Sequence, residues 1–390
     1  MIGLKRKMLN AERTLFQKVK RMMLYLHYRF GITTVLPPIS CQIEITSVCN
    51  YNCVMCNRNF VDKERKDKMM SLGEFKRILL HLPGSIKHIF FIGTLGDAFC
   101  HPGFYDFLDI AREKNYHVSI ATNGERLTKE RVDRLTKYNL WRLHVSLDTT
   151  DKDIYSSIRG GNIEKIIDNL KYFKERNRNT SLFLAMVLMR DNVDGIDDFL
   201  EAAKKLKAKL IIFQMLIPFS MQIWSEQSLY NYPDKLENTV KVVRRHIARS
   251  GMNFGRGGGA DNWSLQPANG YCDSAFTLPQ IMLNGDVVPC CMVPNAREEF
   301  AGGVGFNINP QNYVIGNVLR EPLMSIWNNK KIKRIRKEII DAHKRCNGGL
   351  KQSGLHVFSI EDFADLKRGI PEPKAFDYCK VCALRWQVGG

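Results

Sequence analysis

The chain has 390 residues, 44% hydrophobic and 25% charged, against the roughly 150 residues of a typical domain, so two or three folded units with a substantial core are expected. A disordered tail and a mini-protein are excluded, and no apolar run approaches the roughly 18 residues that span a bilayer. Fifty-eight Lys and Arg against 40 Asp and Glu leave a net charge of +18, which favours anionic partners: phosphorylated metabolites, nucleic acid or an acidic membrane surface.

In chain order, residues 1–38 come first. Leu4, Met8, Ala11, Leu15, Val19, Met22, Leu26 and Phe30 recur every three or four positions, the pattern of an amphipathic helix that ends before Pro37-Pro38. Eight Lys or Arg here face a single acid, Glu12, for a net of +7. Packing of the apolar stripe on the rest of the fold is the favoured reading. The other is peripheral contact of residues 1–30 with an anionic membrane.

Residues 39–250 alternate β-rich runs with helical patterns. Strands are expected near Cys41-Ile45, His88-Ile92, Val118-Ala121, Leu143-Leu147, Leu182-Leu188 and Leu210-Leu216. Ser71 with Glu74 reads as a capping box, Pro83-Gly84 as a helix stop, and Thr128 as the start of a helix through Tyr138. Six such units imply an α/β fold with a parallel sheet: an open, partial (β/α)6 barrel of the TIM type, with its chemistry at the carboxyl ends of the strands.

Residues 251–390 turn glycine-rich and hold six of the eleven cysteines, as expected of a smaller, cysteine-rich domain in which bound metal supplies stability that burial does not. Gly255 to Gly259 reads as a hinge loop. Lys330 to Arg345, with eight Lys or Arg and Ile332, Ile335 and Ile339 at helical spacing, reads as a solvated helix face. No secretory signal follows the basic start Met1 to Lys7, so a reducing cytoplasm is expected, where clustered cysteines read as metal ligands rather than disulfides.

Cys49, Cys53 and Cys56 stand in C-x3-C-x2-C spacing directly after the first strand. Structural zinc wants four closed ligands, whereas three thiolates on a four-iron cubane leave one iron open to a small molecule. A zinc site and buried thiols are the alternatives. With this loop the chain resembles the radical S-adenosylmethionine superfamily, whose partial barrel carries a three-cysteine loop and whose open iron binds S-adenosylmethionine. The resemblance implies a 4Fe-4S cluster on those three cysteines, with Met55 beside the cofactor. Gly93-Thr94-Leu95-Gly96-Asp97 is similar to the segment that holds the methionine amino group, with Gly96 and Asp97 at its end. Asp97 stands where Glu is usual. Thr122 and Asn123 after strand three, and Ser146 and Asp148 after strand four, match positions near cofactor or substrate. Arg159 resembles an arginine that helps to hold the cofactor carboxylate, and its other reading is a solvent-facing helix residue.

Cys272, Gly285 and Cys290, then Gly316-Asn317-Val318 leading into Ser325-Ile326-Trp327, resemble the SPASM/twitch extension of that superfamily, with Cys379 and Cys382 near the terminus. The chain stops at Gly390, short of the further cysteines of a full SPASM domain, so one auxiliary 4Fe-4S cluster on Cys272, Cys290, Cys379 and Cys382 is implied. A four-thiolate zinc site is the alternative. Of the other cysteines, Cys41 is expected to be buried with Cys346 unassigned, while Cys100 and Cys291 are candidate hydrogen-atom donors to a substrate radical.

The resemblance implies an enzyme that cleaves S-adenosylmethionine reductively to a 5'-deoxyadenosyl radical and abstracts hydrogen from a substrate C–H bond, in a dehydrogenation or epimerisation. Its electron donor would be a flavodoxin or ferredoxin. The positive charge suggests an anionic sugar-, nucleotide- or lipid-linked small-molecule substrate. Two alternatives stand beside this reading: a ribosomal-peptide-modifying maturase, and a non-catalytic iron-sulfur or zinc protein that binds nucleic acid, which leaves the cofactor-like strand ends unexplained.

Overall fold

Six short segments form a parallel sheet, with buried and half-buried positions alternating strictly in all but the third and fourth: β1 (Ser40–Ile43), β2 (His88–Phe91), β3 (His117–Thr122), β4 (Leu140–Ser146), β5 (Ser181–Leu188) and β6 (Leu210–Met215). Each pairs with its sequence neighbour. The computed structural model describes residues 22–138, 140–217, 219–250, 274–290 and 310–353. The helices are α1 (22–30), α2 (Leu72–His81), α3 (Phe104–Glu113), α4 (Lys129–Leu135), α5 (Lys152–Arg159), α6 (Ile163–Arg176), α7 (Ile196–Lys205), α8 (Met221–Gln227), α9 (Pro233–Ser250), α10 (Ser274–Thr277), α11 (Leu323–Trp327) and α12 (Lys330–Ser353).

All six expected strands and their parallel order are present, as in a partial barrel. The sheet does not stop there. β7 (Gln280–Ile281) pairs parallel to β1, and β8 (Asp286–Val288) and β9 (Gly316–Asn317) follow antiparallel. The order is β6-β5-β4-β3-β2-β1-β7-β8-β9, so the C-terminal region continues the barrel sheet across its β1 edge.

Local signals account for the element boundaries. Ser71 caps α2 through a capping box with Glu74, an arrangement worth about 1 kcal/mol. Thr128 caps α4, but that helix ends at Leu135 rather than Tyr138, its last turn loosening into turns over 136–138. On α6 the buried residues Ile163, Ile166, Leu170 and Phe173 fall on one face, each contributing about 2 kcal/mol by leaving water.

The N-terminal helix corrects the expected stripe where it is described. α1 ends at Phe30, with Gly31 in the left-handed region (φ 71°), ahead of Pro37. It buries Leu24, His27 and Tyr28, the latter two against the Phe276 ring at 5.3 and 5.5 Å, while Met22 and Phe30 are exposed. A repeat of three or four fits more than one phase of a helix, and Phe276 selects the phase. The face of α12 is also corrected: Ile332, Ile335 and Ile339 are buried, but so is Arg336. Its guanidinium donates to the carbonyls of Ala275 (2.7 Å) and Thr33 (2.9 Å) and lies 5.0 Å from the Trp327 ring. Arg336 thereby ties the N-terminal segment to α10 and α11. Among the described residues no helix is long and apolar enough to cross a membrane.

The lumen is the sheet face turned away from the helices. There His144 packs between Phe90 and Phe183, each ring 4.7 Å away, and His88 reaches Ser119 Oγ at 2.8 Å. Burial, with Arg142 adding repulsion, pushes both imidazoles down to about 3. Their folded values lie below the unfolded 6.5, so their contribution to stability is complete above about pH 6.5 and is lost as pH falls toward 3, where the unfolded chain binds protons that the fold refuses. At about pH 5 each costs on the order of 2 kcal/mol. His144→Gln is expected to lessen the drop in urea midpoint between pH 7 and pH 5; a drop equal to that of the parent chain would contradict this.

Candidate functional site

The loop after β1 holds three thiols, and a hydrogen-bond donor is directed at each sulfur. The Tyr51 N–H donates to Cys49 Sγ (3.5 Å) and the Arg58 N–H to Cys56 Sγ (3.4 Å). Asn123 Nδ2 lies 3.9 Å from Cys49 Sγ, and Arg159 Nη1 lies 3.8 Å from Cys53 Sγ. Burial pushes the Cys49 thiol up to about 12, the Tyr51 N–H opposing it and Asp97 adding to it, and burial also raises Cys53, opposed by Arg159. Iron bound here would take the place of these protons, and donors directed at sulfur would stabilise the thiolates. Among the described residues no three metal-type donors converge on one point. The loop offers three thiols, soft donors of the kind that iron–sulfur groups take. Its chemistry fits a polynuclear iron–sulfur group. Met55 is buried between Val54 and Cys56.

The segment after β2 lies against the start of this loop. A Cβ on Gly96 would stand 2.3 Å from the Thr46 carbonyl oxygen, so only glycine fits. The Asp97 N–H donates to Val48 O at 2.8 Å. The Asp97 carboxylate accepts three hydrogen bonds from the protein: Oδ1 from the Phe99 N–H (3.0 Å), and Oδ2 from Thr122 Oγ1 (2.8 Å) and the Asn123 N–H (2.7 Å). Burial raises its pKa and these donors oppose the rise. Asp97 therefore braces the ends of β2 and β3. Asn123 Nδ2 also donates to Asn50 Oδ1 at 3.0 Å, beside the Cys100 thiol, which donates to the same oxygen at 3.3 Å.

After β4, Ser146 is half-buried and Asp148 is fully buried at φ 59°. Asp148 Oδ2 accepts from Arg159 Nε and Nη2, both at 2.6 Å, and Oδ1 from the Val187 N–H at 2.7 Å. Arg159 is thus a buried residue, not a solvent-facing one. Burial works against its charge, but Asp148 and Cys53 outweigh that and raise its pKa. One guanidinium joins the end of β4 to the cluster loop.

The structure thus brings Cys49, Cys53, Cys56, Met55, Gly96, Asp97, Thr122, Asn123, Ser146, Asp148 and Arg159 to one rim of the barrel. Cys100 lies beside the cluster loop, its thiol raised by burial and by Asp97. Cys290 follows β8 and is half-buried. Cys272, Cys291, Cys379 and Cys382, and the Gly255 to Gly259 loop, lie outside the described residues, as does the Cys346 side chain. Sequence reasoning missed Asn50, Tyr51 and Glu44. The alternation Cys41, Ile43, Ile45 against Gln42, Glu44, Thr46 could have marked Glu44 as facing the lumen.

Asp148→Asn tests the electrostatics of the rim: Asn also accepts a left-handed backbone, while the change removes the charge and turns one accepting oxygen into an NH2 group that faces the Arg159 or Val187 donors. An unpaired buried Arg159 is expected to cost about 3–5 kcal/mol in chemical denaturation. A loss below about 1 kcal/mol would show that the pair is dispensable.

Residues 43–205 match the family model of the Radical SAM superfamily, and residues 272–348 that of an iron-sulfur cluster-binding domain, SPASM. Among curated relatives, the tungsten-containing aldehyde ferredoxin oxidoreductase cofactor-modifying protein of Pyrococcus furiosus is 24% identical over 299 residues, covering 74% of this chain and 80% of that protein. A mycofactocin maturase of Mycolicibacterium smegmatis is 26% identical over 180 residues, 46% of this chain and 45% of its own. Streptococcus suis SuiB bound to S-adenosylmethionine shares the fold at a TM-score of 0.57 and 18% identity, covering 83% of this chain and 72% of that one. Native anSMEcpe with bound AdoMet shares it at 0.59 and 18%, covering 80% and 86%.

Proposed function

Since the chain belongs to the radical S-adenosylmethionine superfamily and carries an iron-sulfur cluster-binding SPASM domain, we infer that it is a radical enzyme acting on a substrate C–H bond. Its cofactors are 4Fe-4S iron–sulfur and S-adenosylmethionine. The observation that carries this reading is the three-thiol loop with an N–H directed at each sulfur. When bound, these groups supply one-electron cleavage of S-adenosylmethionine and hydrogen abstraction from the substrate.

In this reading Cys49, Cys53 and Cys56 hold one cluster, and Cys272, Cys290, Cys379 and Cys382 hold an auxiliary one. Residues 39–250 form the catalytic barrel, 251–390 the auxiliary domain and 1–38 a basic leading segment. Gly96 lets its segment pack against the Thr46 backbone beside the three-thiol loop, where the segment would hold the cofactor amino group, and Asp97 holds Thr122 and Asn123 in place. Arg159, braced by Asp148 and 3.8 Å from Cys53 Sγ, would offer positive charge to an anionic cluster and to the cofactor carboxylate. A flavodoxin or ferredoxin supplies the electron. Cys100, hydrogen-bonded to Asn50 beside the cluster loop, is a weaker candidate for hydrogen return than a thiol lining the lumen would be.

The lumen bears on the substrate. Ser146 and Ala185 line it toward the rim, Ala121, His144 and Phe183 share the level beneath, with Phe90 against His144, and Arg142 lies one level deeper, 3.8 Å from the Trp141 ring. Apart from the buried acid Glu44, these lumen side chains are small or aromatic, which favours an uncharged group, such as a peptide side chain, in a maturase-type reaction. The net charge of +18 favours the second reading, a small anionic substrate. The exposed Met22, Tyr25 and Phe30, in a segment of net +7, support peripheral contact of residues 1–30 with an anionic membrane.

Anaerobic reconstitution is expected to give about eight irons per chain and, after dithionite reduction, formation of 5'-deoxyadenosine. Replacing Cys49, Cys53 and Cys56 together by Ala should halve the iron and abolish that product. A zinc-only protein, or a fully loaded one that leaves S-adenosylmethionine intact, would overturn the reading. Deuterium passing into 5'-deoxyadenosine from a labelled peptide, and not from anionic sugars or nucleotides, is the outcome that the maturase reading predicts.

A further inference from the structure

Glu44 is 2% exposed, on the lumen side of the chain just past β1 and five residues ahead of Cys49. Three donors converge on its carboxylate: the Leu95 N–H at 3.3 Å, the Leu283 N–H and the Thr94 hydroxyl. The Thr94 hydroxyl in turn accepts from Gln280 Nε2 at 3.1 Å, and the Glu44 N–H donates to Ile281 O at 2.9 Å. Glu44 therefore joins three pieces of chain: the lead into the cluster loop, the Gly93–Asp97 segment, and β7 with the turn behind it, which lies within the SPASM match. Three donors meeting in a dry place require a group that only accepts, and a carboxylate is the side chain with two acceptor oxygens. Burial, opposed by the more distant Arg65, raises it to about 7, so the fold tolerates an unfavourable ionisation to keep an acid here.

We propose that Glu44 is a positioning residue: through Thr94 and Leu95 it fixes the Gly93–Asp97 segment against the auxiliary domain, and so sets the affinity for S-adenosylmethionine without touching it. The proposal rests on the radical S-adenosylmethionine reading of the rim. Glu44→Gln presents an NH2 group to donors and should release the segment, and Thr94→Val should cut the same chain of hydrogen bonds at its middle.

The test compares both variants with the parent, as reconstituted full-length chains. KM for S-adenosylmethionine in 5'-deoxyadenosine formation is expected to rise about tenfold, the equivalent of one lost buried hydrogen-bond set. The turnover at saturation, the iron content and the melting temperature should stay near the parent values. Amide hydrogen exchange should quicken at both 93–97 and 280–284. An unchanged KM with normal exchange at the two segments overturns the proposal, as does a fall in turnover at unchanged KM. If Glu44→Gln fails to fold, Thr94→Val decides by the same readouts. If the parent chain itself does not bind S-adenosylmethionine, the radical reading fails, and exchange at the two segments still decides whether Glu44 holds them together.

Discussion

Parallel pairing of β1 through β6, each strand with its sequence neighbour, is the constraint on which the site depends. It places six strand ends on one rim, and the chain must leave that rim by loops before returning through a helix. The three-thiol loop, the Gly93–Asp97 segment, Thr122-Asn123 and Ser146-Asp148 are four of those exits, brought side by side by registers such as Ile43 with Phe91 and Thr122 with Val145. No single exit carries the chemistry. The rim assembles it.

At each exit the ladder of backbone hydrogen bonds ends, and donors are left that must find acceptors away from water. Buried acids meet that need. Glu44 joins the first exit to the second and to β7, Asp97 joins the second to the third, and Asp148 joins the fourth to β5 and, through Arg159, to the cluster loop. Asn192, also buried, donates to the carbonyls of Asp148 and Val187 and closes the bracing at β5. These groups hold loops in one geometry at an electrostatic cost, most visibly in Glu44 and Asp97, both of which burial shifts toward the neutral acid. A rim braced this way can present sulfur, backbone and guanidinium at fixed separations, which a one-electron reaction in a dry site requires.

Much of this was legible in the sequence because it is local. The cysteine spacing, the alternation of strands, the Ser71–Glu74 box and the order of rim segments all lie within a few residues of chain. What was not legible depends on partners far away. The buried face of α1 is chosen by Phe276, some 250 residues on. Arg336 looks like one more basic residue of a solvated helix until Thr33 and Ala275 converge on it. The continuation of the sheet through β7 to β9 rests on strands of two or three residues, too short to show a period.

The amino-acid sequence alone determined the family resemblance, the parallel barrel and which side chains could carry the chemistry, because residue type and near spacing encode those things directly. The tertiary structure decided what each of them does at the rim. Asp97 accepts from Phe99, Thr122 and Asn123 and so braces β2 against β3, Arg159 is a buried bridge between Asp148 and Cys53, and Glu44 is a junction between the barrel and its extension. The physical reason is that a carboxylate or guanidinium takes its role from the donors, acceptors and water around it, and those are supplied by strands that meet only when the sheet has formed.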